Sequence, residues 1–131
     1  MKMTPVLLVQ SVEMSLPFWV DRLGWEKTVE VPEGDRLGFV ILVRGNVELM
    51  LQTFESARRD EPRLIGDPQS HRASLFVEVD DWAEILHRLS GYEVAMPERQ
   101  TFYGMRELGV LDPDGHIVVF AKRLGEGSAR E

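Results

Sequence analysis

The stretch from Phe102 to Lys122, FYGMRELGVLDPDGHIVVFAK, limits what this chain can fold into more than any other. Asp112-Pro113-Asp114-Gly115 within it spells a tight turn. Proline presets φ at the second turn position, aspartate side chains satisfy local backbone donors, and glycine closes the turn where a side chain would be strained. Met105 to Leu111 leads in, and the β-branched and aromatic run Ile117-Val118-Val119-Phe120 leads out, so a hairpin is expected. A weaker version of the layout occurs earlier, where strands Leu37 to Val43 and Val47 to Phe54 flank the turn Arg44-Gly45-Asn46.

The segments ahead of the two hairpins also match. In the first half, Met3 to Val9 reads as a strand, with Pro5 near its start. A helix is expected from Ser15 as N-cap, with Pro17 in its first turn. Leu16, Trp19, Val20 and Leu23 fall on one face of it, and Gly24 stops it. Trp25 to Val31 follows as a half-buried strand, then the loop Pro32 to Asp35. In the second half, Ala73 to Val79 is a strand, and Asp80 or Asp81 caps a helix through Trp82, Ile85, Leu86 and Leu89 that Gly91 ends. Tyr92 to Met96 is then a strand and Pro97 to Thr101 a loop. Each half is βαβββ, and Leu23-Gly24-Trp25-Glu26 answers the Leu89 to Glu93 segment.

The expectation is therefore one α+β domain over residues 1–131, made of module 1 at about 1–54, a linker at 55–70, module 2 at about 71–124 and a tail at 125–131. A short helical piece is expected at Ser56 to Asp60. Neither four-stranded sheet buries itself alone, so the tandem modules pair within one chain or across a homodimer, forming a curved mixed sheet around a cleft. The linker reaches far enough for either arrangement.

Composition excludes several functions. The chain has no Cys, which removes disulfides, thiolate nucleophiles and Cys metal sites. Its formal net charge of −7 argues against nucleic acid, whose phosphates reward Lys and Arg, and is compatible with a cationic ligand. No apolar run has the length of a membrane helix and the N-terminus lacks a signal-peptide layout, so no membrane partner and a cytoplasmic location are expected.

The helix end Phe18-Trp19-Val20-Asp21-Arg22-Leu23-Gly24-Trp25, the strand end Val77-Glu78-Val79-Asp80-Asp81 and the Asp112-Pro113-Asp114-Gly115 turn occur here in order. Over nearly its full length the chain resembles the vicinal oxygen chelate superfamily, which includes glyoxalase I, extradiol dioxygenases and the bleomycin resistance proteins. The Pro5-Val6-Leu7 opening, the Phe18-Trp19 pair and Tyr103-Gly104-Met105-Arg106-Glu107 look most like the bleomycin resistance branch. The superfamily's enzymes hold a metal with His and Glu side chains on four strands facing the cleft. Carried over one at a time, those positions fall on Thr4, Glu48, Ser74 and Val119. Thr4 and Ser74, like Glu48 and Val119, are separated by about 70 residues, the period of the repeat. Glu48 alone suits a divalent ion, whereas a catalytic zinc takes three protein ligands and octahedral ions take more oxygen donors. No metal and no other cofactor is therefore expected. Strand alternation turns His71 and His116 to the opposite face, and His87 lies on the wet side of the second helix.

Residues of the same parity line the cleft the resemblance implies: Val6 and Leu8, Met50 and Gln52, Phe76 and Glu78, Ile117 and Ala121. Phe102 and Tyr103 stand at its mouth, placed to stack on a planar group. Glu48 and Glu78, facing a partly apolar cleft, each need a partner or a proton. For Glu48, a cationic ligand or an ion pair with Arg44 or Arg99 would supply one; Arg106 and Glu107 read as an exposed cross-strand pair. Bleomycin-type antibiotics are cationic and carry planar rings. The resemblance thus implies metal-independent binding and sequestration, with Glu48, Met50, Phe76, Glu78, Phe102 and Tyr103 as contacts. The alternative is a glyoxalase-like or dioxygenase-like lyase or isomerase using Glu48 as general base, with Tyr103 or His71 as partner, or as the sole remaining metal ligand. A binding module for an unrelated small molecule is a third reading.

Overall fold

The computed structural model describes residues 1–125. Of the expected tail, residues 126–131 lie outside the described residues. The chain divides into two compact units, Met1–Arg72 and a second beginning at Ala73.

The first unit runs β1 (Val6–Val9), α1 (Val12–Leu16), β2 (Glu26–Glu33), β3 (Arg36–Arg44), β4 (Val47–Thr53) and α2 (Phe54–Asp60). Its sheet is ordered β1-β4-β3-β2, with β1 parallel to β4 and the other pairs antiparallel. Parallel β1 and β4 need the crossover that α1, β2 and β3 provide. Leu7, Val9, Val40, Leu42, Leu49 and Leu51 alternate onto one face and are buried together with Val12, Phe18, Trp19 and Leu23 from the helical segment.

That segment begins earlier than its sequence suggests. Ser11, not Ser15, is the N-cap: it is extended, and its Oγ accepts the Met14 N–H at 3.2 Å. Ser15 is buried inside the helix, where its hydroxyl donates to the Ser11 carbonyl. Pro17 then opens a π-helical turn, Pro17–Arg22, in which the Leu23 N–H reaches the Phe18 carbonyl at 3.1 Å. The wider turn lets two consecutive aromatics, Phe18 and Trp19, both enter the core edge-to-face at 5.1 Å. Gly24, at φ 77°, ends the turn in the left-handed region.

The second unit runs β5 (Ser74–Glu78), α3 (Trp82–Arg88), β6 (Val94–Gln100), β7 (Met105–Leu111) and β8 (Ile117–Arg123), ordered β5-β8-β7-β6 with β5 parallel to β8. Asp81 caps α3, its carboxylate accepting the Glu84 N–H. Trp82, Ile85 and Leu89 are buried, and the Trp82 indole N–H donates to Glu98 on β6. That contact marks the helix-side face of the sheet, which also buries Leu108, Val110, Val118 and Phe120. Two four-stranded mixed sheets with few helices make an α+β fold.

Several boundaries depart from the sequence reading. β2 runs on through Pro32 and Glu33, read as loop, and as an edge strand it is exposed from Glu26 to Pro32, where a half-buried strand was expected. β1 starts at Val6, not Met3, although the Pro5 carbonyl still takes the Met50 N–H. The segment 97–100, read as loop, continues β6 as far as Gln100. Edge position tolerates Pro97, and the register shifts between Val94 and Arg99 absorb the irregularity. After β4 the short helix starts at Phe54, capped by Thr53, and the rest of the linker contains two 3₁₀ turns, Pro62–Leu64 and Pro68–His71.

Candidate ligand-binding site

Each sheet has one face under its helix and one open face. In the first unit, register places Glu48, Met50 and Gln52 of β4 beside Val43, Ile41 and Phe39 of β3 on the open face. Val6 and Leu8 extend it onto β1. Glu48 is 22% exposed in its side chain, and Lys2 Nζ lies 3.1 Å from its Oε2. Thr4 Oγ1 donates to Oε1 over a long 3.4 Å. Glu48 therefore pairs with Lys2, where the sequence suggested Arg44 or Arg99; Arg44 instead donates to the Gly24 carbonyl. Gln52 donates to Ser56 Oγ at 3.2 Å.

In the second unit the open face carries Ser74, Phe76 and Glu78 of β5, opposite Ile117, Val119 and Ala121 of β8. Phe76 is 54% exposed, and Glu78 is exposed with Arg123 3.6 Å away. Ala121 is buried. Phe102, 94% exposed, sits edge-to-face on Tyr103, with ring centres 5.1 Å apart.

Glu107 is the residue that sequence reasoning misjudged. It shares the open-face parity of β7 through its register with Ala121, yet is only 1% exposed. Its Oε1 accepts from Arg99 Nε and Nη2 at 3.2 and 3.0 Å, and its Oε2 accepts the Tyr103 hydroxyl at 2.6 Å. Arg106 points to the other face and meets Glu98 at 3.6 Å, so the supposed Arg106–Glu107 pair does not form. The hydrogen bond to Glu107 raises the Tyr103 phenol above its usual pKa and likewise raises the Arg99 guanidinium. Counting alternate residues along β7 from the Asp112 turn would have placed Glu107 with the lining; its burial has no signal in the sequence.

Two of the three histidines serve the fold, and His87 is exposed on α3. His71 Nε2 accepts the Gly66 N–H at 3.0 Å, and its ring lies 6.0 Å from that of Phe54. His116 is buried, its Nδ1 accepting the Ala73 N–H and its own N–H donating to Asp112. The Asp112 carboxylate, which also takes the Asp114 N–H, is raised in pKa chiefly by burial. Tyr103 and His71, offered as partners for a Glu48 base, are thus hydrogen-bonded to Glu107 and to Gly66. The four positions implied for a metal do not fit one. Thr4 and Glu48 bond each other, Lys2 already supplies Glu48 with positive charge, Ser74 is a weak donor, and Val119 has no donor atom. Among the described residues no three His, Asp or Glu side chains group as metal ligands.

No helix among the described residues is long and apolar enough to cross a membrane. Among curated proteins none matches this chain. A glyoxalase/bleomycin resistance protein/dioxygenase from Nocardioides is similar in structure, with TM-score 0.74 at 19% identity over 100% of this chain and 89% of the other. The bleomycin-binding protein of Streptomyces verticillus, solved with copper(II)-bleomycin, has TM-score 0.64 at 27% identity, covering 96% and 97% of the two chains. A lactoylglutathione lyase from Agrobacterium tumefaciens has TM-score 0.72 at 18% identity, covering 93% and 92%. The family model of the Glyoxalase/Bleomycin resistance protein/Dioxygenase superfamily matches residues 4–120, and the chain belongs to that superfamily.

Proposed function

We propose that this protein binds a small aromatic, partly cationic molecule without a metal and sequesters it unaltered, as a bleomycin-binding protein does. One contrast carries the reading: the positions where relatives would hold a metal are poor in donors and neutralised by Lys2, whereas Phe76, Phe102 and Tyr103 keep aromatic surface exposed on the second unit. Exposed aromatic side chains stack on planar rings. Glu48 and Glu78 would supply counter-charge, because their pairs with Lys2 and Arg123 are solvent-accessible and cheap to exchange. Met50, half-buried beside Glu48, adds an adaptable apolar contact. The similarity to the Streptomyces verticillus protein makes bleomycin the first ligand to try. A homodimer goes with this reading, since Val6, Phe76 and Ile117 leave apolar surface uncovered in one chain. Sedimentation at micromolar concentration should then show a dimer, and monomer alone would discard that part.

The test is a calorimetric titration of chelator-treated protein with metal-free bleomycin. Heat is the better readout because Trp19 and Trp82 are buried in the helix-side cores. Saturable binding tighter than about 1 μM, roughly −8 kcal/mol, is expected. An absence of binding heat, repeated at a second temperature, would remove bleomycin as the ligand.

A further inference from the structure

We propose that Glu107 is the positioning residue of a subsite on the second unit that takes a flat, uncharged aromatic ring, with Tyr103 and Phe102 as its wall. This rests on reading the chain as a small-molecule binder, and adds which part of the ligand the second unit holds.

A carboxylate removed from water is costly unless its oxygens are fully engaged, and an apolar residue of similar size often serves stability as well. Glu107 is 1% exposed in a unit whose other buried strand residues include Met105, Leu108 and Val110. What a carboxylate does here, and an apolar residue cannot, is grip two partners at once. One oxygen takes two Arg99 donors, and the other takes the Tyr103 hydroxyl at 2.6 Å. The loop that carries Tyr103 is closed beneath it, with the Thr101 N–H donating to the Met105 carbonyl at 2.8 Å and the Met105 N–H to Thr101 Oγ1 at 3.0 Å. Tyr103 is thus fixed at both its backbone and its hydroxyl, while half of its surface stays exposed. Phe102 stands at 86° to it. Two rings held at right angles offer a preformed corner, so a planar ligand ring docks without ordering the loop first.

Charge narrows the class of ligand. Arg99 from β6 and Glu107 from β7 cancel each other, and Glu78 from β5 pairs with Arg123 from β8 on the same face. Glu98 and Arg106 face the helix side. The corner therefore presents aromatic surface without net charge, and it selects on planarity.

Two readouts on the full-length wild-type chain and on Glu107→Gln and Tyr103→Phe test this. The first is tyrosinate absorbance against pH. In the wild type one of the two tyrosines should ionise above the ordinary range, and Glu107→Gln should bring it down. The second is fluorescence titration with the neutral planar dye Nile red. Wild type should bind saturably and independently of salt, and Glu107→Gln should bind about tenfold more weakly. Tyr103→Phe, which keeps the ring and the Arg99–Glu107 pair but frees the ring to swing, should weaken the dye several-fold, and it decides the matter should Glu107→Gln not fold. The proposal is overturned if wild type does not bind the dye, or if the folded variants bind it as tightly as wild type. An unchanged tyrosine titration in folded Glu107→Gln also overturns it. Bleomycin failing while the dye binds removes the antibiotic and leaves the subsite; the reverse removes the subsite alone.

Discussion

The two units share one topology but hold their open-face carboxylates differently. In the first, Glu48 sits on β4 and meets Lys2, from the segment ahead of β1, in water-accessible surroundings. In the second, the position one repeat later is Val119, and the carboxylate has moved to Glu107 on β7, dry and held by three hydrogen bonds. Both units have the same strand order and side-chain helix caps, Ser11 and Asp81, about 70 residues apart, while the chemistry of their faces differs. Glu48 therefore remains exchangeable, suited to meeting a cation. Glu107 is committed to its own chain and acts through what it holds.

If that contrast is right, Glu107→Ala should have the largest effect of any single change on either open face. It takes a buried carboxylate from Tyr103 and from an Arg99 side chain that is already 54% exposed, and a loss of about 2–3 kcal/mol is expected. A urea unfolding midpoint measures it, and a loss under about 0.5 kcal/mol would erase the distinction between the two carboxylates.

Next come two glycines that oppose bulged edge strands. A Cβ at Gly109 would lie 3.0 Å from Met96 Cβ and 3.5 Å from its backbone nitrogen. At Gly38 it would lie 2.5 Å from Glu33 Oε2 and 3.0 Å from Glu33 Cβ. The Glu33 carboxylate can swing aside at the expense of its Arg59 pair, but its Cβ cannot, and Ser56 Cβ lies at 3.3 Å as well, whereas the tight contact at Gly109 is with Met96 alone. Both changes should therefore cost about 1–3 kcal/mol, Gly38→Ala at least as much as Gly109→Ala. The reverse order in thermal denaturation would show that β2 yields more easily than β6.

Glu48→Gln should change stability by less than about 1 kcal/mol, and added salt should shrink the difference further. The smallest effect is expected at Glu13, whose carboxylate accepts the Leu37 N–H at 2.8 Å, a bond that lowers its pKa from the ordinary glutamate value. A lowered folded-state pKa adds stability above the unfolded value and loses it as pH falls through the folded one. Glu13→Gln should therefore cost a few tenths of a kcal/mol at pH 7, because the site is exposed, and nothing near pH 2. Its counterpart in the repeat, Ala83, has no side-chain acceptor, so no equivalent pH dependence is expected from α3.

What the sequence made legible was periodic. The βαβββ order, both hairpins and the open-face parity of Glu48, Met50 and Phe76 follow from alternation and turn chemistry, which act locally. The helix start was legible but misread, since Ser11 answers Asp81 in the repeat; Pro17 drew attention to Ser15, yet it opens a π turn instead of the helix. The extent of β6 was hidden because Pro97 signals a loop except at a sheet edge, and edge position is set by tertiary pairing. Glu107 was hidden for the same kind of reason. Its burial depends on Arg99 and Tyr103 closing over it, and nothing local to Arg106-Glu107 distinguishes that from an exposed ion pair.

The central claim is that ligand binding here needs no metal, and metal content tests it most directly. Elemental analysis of protein purified without chelator should find no stoichiometric divalent ion in wild type or in Glu48→Ala. One ion per chain in wild type, lost in Glu48→Ala, would contradict the claim and return Glu48 to the role of metal ligand.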